Sequence, residues 1–135
     1  MRMKKCLPLL LCLLLLTGCS PKELPEGMEE ETVIADGQEI VELLVDGDYE
    51  EVYGRLRKDV AETTSPENIR ELMESTVENA GVYLGRRDSM ATGKTVDGEE
   101  YGEAVILCEY KKKDVLFRVN FDLDGNMVGL NIQKQ

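Results

Sequence analysis

VLFRVNFDLDGNMVGLNI, residues 115–132, is the stretch that decides the fold. Val115, Phe117, Val119 and Phe121 alternate with Leu116, Arg118, Asn120 and Asp122, the period of a half-buried strand. Asp124-Gly125 is a hairpin-turn dipeptide, and beyond it Val128, Leu130 and Ile132 alternate with Gly129 and Asn131. Working backward, residues 101–110 form another strand, with Ala104, Ile106 and Cys108 on one face and Val105 and Leu107 on the other. Residues 82–92 make a fourth, with weaker alternation. Asp97-Gly98 and the run Lys111-Lys112-Lys113-Asp114 supply the remaining turns. An antiparallel meander of about four strands is expected.

Upstream of this meander the period changes. Over residues 31–45, Val33, Ile34, Ile40, Val41, Leu44 and Val45 recur mostly at spacings of one, three and four, as one buried helical face does. Gly37 should weaken that helix by about 1 kcal/mol relative to alanine. Asp48 with Glu51 three residues on reads as a capping box opening a second helix, which carries Val52, Leu56 and Val60 at steps of four. Ser65-Pro66 opens a third, with serine as N-cap and proline in the first turn. Ile69, Leu72, Met73, Val77 and Ala80 give it a stripe, and Gly81 ends it. About three N-terminal helices packed on a curved antiparallel sheet make an α+β domain over residues 29–135.

The front of the chain reads differently. Arg2, Lys4 and Lys5 precede an almost pure leucine run over residues 6–16. That run is shorter than the roughly 20 apolar residues a bilayer span needs, so a secretory signal is expected. Leu16-Thr17-Gly18-Cys19 then matches the bacterial lipobox. The lipoprotein signals it resembles imply diacylglycerol transfer to the Cys19 thiol, palmitate-class acyl chains, and cleavage between Gly18 and Cys19. Two chains on one cysteine anchor stably, where one holds only marginally. Residues 1–18 are thus expected to be removed, and residues 19–28, with Pro21, Pro25 and Gly27, to serve as a lipidated tether. The expected location is the cell membrane, facing outside the cytoplasm.

Composition narrows the function. The 135-residue chain holds 16 Lys+Arg against 27 Asp+Glu, a net charge of −11, so no nucleic-acid partner is expected. Zero histidine excludes Ser-His-Asp and Cys-His catalysis. Cys6 and Cys12 leave with the signal and Cys19 is acylated, so Cys108 is the one thiol expected to stay free. No cofactor and no metal are expected. Asn120-Phe-Asp122-Leu-Asp124-Gly125 looks like the start of an EF-hand loop, but position twelve is Asn131 and the flanks are strands. A hairpin turn with its acids in solvent is the expectation. Gly93-Lys94-Thr95 lacks the upstream glycine of a phosphate loop, where Asp88 stands instead. Residues 111–113 are expected to be a solvated turn that blocks edge pairing.

The ordered pattern of Gly-Asp-Tyr-Glu after the first helix, Ser-Pro-Glu opening another, and a meander closing on FDLDGNMVGL resembles the bacterial family of domain of unknown function 3887. The resemblance covers residues 31–132 and implies a cystatin-like fold, related to the nuclear transport factor 2-like superfamily. The family brings no catalytic residues to carry over. Superfamily relatives that are isomerases pair Tyr and Asp in a pocket between sheet and helices, which draws attention to Tyr49, Tyr53, Tyr83 and Tyr110 with Asp48 or Asp88. The leading expectation is a lipid-anchored, non-enzymatic binding or accessory module, its partner a peptide, a glycan or another envelope protein. The alternatives are a small pocket enzyme of isomerase or hydro-lyase type, and a homodimerising module using a sheet face with Val105 and Leu107.

Overall fold

The computed structural model describes residues 22–135. Four helices precede four strands: α1 (Glu30–Val45), α2 (Tyr49–Gly54), α3 (Lys58–Ala61) and α4 (Pro66–Val77), then β1 (Tyr83–Val96), β2 (Glu99–Tyr110), β3 (Asp114–Phe121) and β4 (Met127–Lys134). The strands form one antiparallel sheet in the order β1-β2-β3-β4, so β1 and β4 are its margins. Helices cover one face of it: α1 packs chiefly on β2, and α4 on β4 and α2.

The alternation in residues 115–121 translates directly into a buried row. Phe117 pairs with Ile106 on one side and Ile132 on the other, and Val119 lies between Ala104 and Leu130. Against this row α1 lays Val33, Ile40, Val41 and Leu44. Each large side chain so buried contributes about 1.5–3 kcal/mol. The opposite face of α1 carries Glu30, Glu31, Asp36, Glu39 and Glu42 without a single cation. Gly37 is also buried, and a Cβ there would stand 2.4 Å from the Cβ of Ala104. The cost in helix propensity is therefore the condition for α1 to lie close on β2.

Three expectations need correction. The second helix is two helices, because the chain breaks between Gly54 and Lys58 to bond the start of β4. Arg57 N–H donates to the Met127 carbonyl at 2.8 Å, and Met127 N–H to that of Arg55 at 3.1 Å. Helix α4 stops at Val77 rather than at Gly81, with Asn79 in the left-handed region at φ 65°. In β4 the ladder slips by one residue, so Met127 rather than Val128 joins Leu130 and Ile132 on the helix side. Both predicted caps are present: Asp48 accepts from the Glu51 N–H, and Ser65 from that of Asn68.

The segment expected to be a tether is partly folded in. Gly93 N–H donates to the Lys22 carbonyl at 2.8 Å, Pro25 is buried, and Leu24 and Met28 pack on the core. A Cβ on Gly93 would meet the Glu23 carbonyl oxygen at 2.0 Å, and one on its partner Gly102 the Met28 side chain at 2.8 Å. The glycine of the phosphate-loop-like motif is thus a saddle for the chain's own N-terminal segment.

Candidate functional site

The lipobox residues Leu16, Thr17, Gly18 and Cys19 lie outside the described residues. No helix among the described residues is long and apolar enough to cross a membrane.

Between sheet and helices, where a pocket enzyme would hold its substrate, the space is taken by Ile40, Leu44, Val52, Ile106, Phe117 and Met127, all almost fully buried. The tyrosines singled out do not meet their carboxylates there. Tyr53 Oη donates to the Ala61 carbonyl at 2.9 Å, tying α2 to α3. Tyr83 stands edge-on to Tyr110, ring centres 5.4 Å apart, while Asp48 caps α2. Asp88 accepts from the Ser89 N–H and, with Tyr83, borders a surface cleft. Burial pushes the Tyr110 hydroxyl up to about 12. Burial likewise pushes the Cys108 thiol up to about 11, against the pull of Tyr83 and Arg86, so at neutral pH it is a protonated core residue.

The EF-hand-like run folds as a turn, but not with all its acids in solvent. Asp122 is 5% exposed and turned inward. It accepts from the Asp124 N–H at 3.0 Å, the Asn126 N–H at 2.8 Å and the Arg57 guanidinium at 3.3 Å. Burial alone would raise its carboxyl, yet these donors outweigh it and hold the group below the usual carboxylate range. Arg57 also grips Asp59 at 2.8 Å and Glu99 at 2.6 Å, which holds both of those carboxyls low. Asp124 stays exposed, and Asn120 is paired in β3 opposite Gly129. No group of three metal-ligating side chains occurs among the described residues.

Two depressions flank the sheet. At the β4 margin a groove of about 160 Å³ lies between α3, α4 and the strand. Its floor is Leu56, Ile69, Leu72, Met127 and Leu130, and its rim carries Val60, Thr64 and Asn68. The groove lies where the helical run breaks: residues 55 and 57 are bonded to Met127, and Leu56, Leu72 and Leu130 line it half-buried. An apolar floor with a few polar rim groups suits an apolar side chain held by its neighbours' backbone. Nothing in the spacing of Val60 and Leu72 announced this, since both read as core positions.

At the β1 margin a wider, polar cleft of about 620 Å³ is bordered by Gln38, Tyr83, Gly85, Arg86, Asp88 and Ser89. Gln38 donates to Ser89 Oγ at 3.1 Å across it, and Arg86 to Glu42 at 3.0 Å. Here β1 departs from regular pairing twice, between Tyr83 and Gly85 and between Arg86 and Asp88. Bulges of this kind re-aim side chains at sheet edges.

These features define an α+β domain with one helix-covered face and a filled interior, with a depression at each sheet margin among those on its surface. Residues 37–130 match the family described as Protein of unknown function (DUF3887), and the chain belongs to that family. The fold is similar to an NMR structure of a protein from Ruminococcus gnavus ATCC 29149, at 28% identity and a TM-score of 0.69. That match covers 82% of this chain and 96% of the other. No curated protein matches the chain.

Proposed function

We propose that this protein is a lipid-anchored, extracytoplasmic binding module of the cell envelope, non-enzymatic and cystatin-like in fold. The observation that carries the anchor is the run Leu16-Thr17-Gly18-Cys19 behind a basic start and a leucine stretch. The filled interior argues for binding over catalysis, and the apolar groove at the β4 margin is the binding site of this reading. Its floor favours a peptide or protein partner, since the hydroxyls of a glycan would lose water there without gaining bonds.

Two measurements test the reading. Mass spectrometry of the membrane-bound protein should find diacylglycerol on Cys19 as the first residue, and Cys19→Ser should leave the precursor uncleaved and unacylated. A photo-crosslinker at Thr64 should capture one discrete envelope partner in intact cells, and Leu72→Glu should abolish the adduct while leaving the far-ultraviolet circular dichroism unchanged. An unmodified Cys19 overturns the anchor, and an adduct indifferent to Leu72→Glu overturns the groove.

A further inference from the structure

Five large hydrophobic side chains are exposed among the described residues, and four of them lie on β1 or on the residue before it. Val82 is 62% exposed, Leu84 56%, Met90 42% and Val96 43%. The fifth, Leu123, belongs to the turn before β4. The same margin is basic within an acidic protein. Strand β1 carries Arg86, Arg87 and Lys94 against one carboxylate, Asp88, with Asp97 at its end. Beside its start, Lys111, Lys112 and Lys113 are exposed and make no ion pair among the described residues. The turn that bears them is held in place: Lys111 N–H donates to the Val82 carbonyl at 2.9 Å and Lys112 N–H to that of Ala80 at 2.8 Å. Val82, with Leu84 two residues on, and the unpaired lysines are therefore fixed side by side.

Charges and bulges by themselves would merely guard an edge strand against pairing with other chains. Four exposed aliphatic side chains undo such a guard, so the combination calls for a surface that is both apolar and anionic. We propose that the β1 margin lies on the bilayer, with Val82 and Leu84 entering the headgroup layer and Lys111, Lys112 and Lys113 held by anionic lipids. The inference rests on the lipid-anchor reading. Lys22 is bonded to Gly93 on this same strand and lies three positions after Cys19, a reach of about 10 Å. The anchor thus leaves the domain at the margin that would face the lipid. Arg86 and Arg87 already hold Glu42 and Asp114, at 3.0 and 2.5 Å, so the three lysines supply the free charge.

The test uses the lipidated protein, reconstituted in vesicles of phosphatidylcholine with or without phosphatidylglycerol. An environment-sensitive dye is placed on Leu84→Cys, or on Glu71→Cys of α4 as a control; Cys108 is buried and does not compete. The expected result is a blue shift and shielding from an aqueous quencher at position 84 in phosphatidylglycerol vesicles, with position 71 unshielded. Each lysine contributes about fivefold to partition onto an anionic surface, so Lys111→Glu, Lys112→Glu and Lys113→Glu together should abolish the shielding while the protein still floats with the vesicles. Free quenching at position 84 in a protein that floats overturns the proposal. A protein that floats only with phosphatidylglycerol, and only with its lysines intact, supports the margin and overturns the anchor. One that floats with neither overturns both.

Discussion

At the β4 margin, backbone bonds from residues 55 and 57 close over the start of an eight-residue strand, and Met127 beneath them is almost fully buried. At the β1 margin a fourteen-residue strand carries two breaks in its register and bonds Lys22 at Gly93, and its aliphatic side chains stand in water. One margin is closed by the domain's own chain, leaving a small apolar groove. The other is bridged by the chain at Gly93 alone and is otherwise left open, with positive charge and exposed hydrophobic side chains along it. A strand edge that is neither paired nor covered ordinarily invites association. The contrast teaches that this domain treats its two edges as different kinds of surface.

The largest effect that could break this contrast belongs to the β4 margin. Met127→Ala should destabilise the domain by about 2–5 kcal/mol, read as a lower urea midpoint with an unchanged slope. A loss within the range of an ordinary surface change would mean that β4 is no better closed than β1. Gly93→Val comes next, at about 1–3 kcal/mol, because the new side chain must displace the Glu23 carbonyl. Hydrogen exchange should then show residues 22–28 losing protection while β4 keeps its own. Equal loss in both strands would show that the N-terminal segment is integral to the whole sheet.

A smaller effect sharpens the β4 side. The Asp122 carboxyl is held below its ordinary range in the folded chain, so it binds a proton less readily folded than unfolded. Its contribution is therefore complete above the ordinary aspartate value and is lost as pH falls below about 4. Asp122→Asn should cost about 1 kcal/mol at neutral pH and flatten the acid limb of the stability curve. An acid limb unchanged in the variant would remove Asp122 from the account. Smallest of all, Leu84→Ser should change stability by no more than about 0.5 kcal/mol, since the side chain stands in solvent. A larger loss would mean that the β1 margin is part of the core.

Strands β2 and β3 were legible because every second residue of theirs is buried against the same helix, so the period survives intact in Ala104, Ile106, Cys108 and in Val115, Phe117, Val119. Strand β1 was faint for a physical reason: each bulge inserts a residue, and after Leu84 and Arg87 the alternation changes phase. The break between α2 and α3 was illegible locally, because its partner Met127 lies 70 positions downstream of Arg57. The spacing of Val52, Leu56 and Val60 satisfies an uninterrupted helix equally well. The inward turn of Asp122 was missed likewise, for its guanidinium partner comes from 65 residues earlier. Neither depression could be read from spacing alone, since both are bounded by residues that only the tertiary fold assembles.

Arg57 joins three stretches of chain that fold at different distances from it: Asp59 two residues away, Glu99 42 away and Asp122 65 away. Its local partner is available as soon as α3 forms, whereas the remote ones must wait for both later hairpins to close their loops. The guanidinium is accordingly a clasp fastened last. Its remote bonds form after the step that commits the chain to its native topology, so they weigh more on how slowly the domain comes apart than on how fast it assembles.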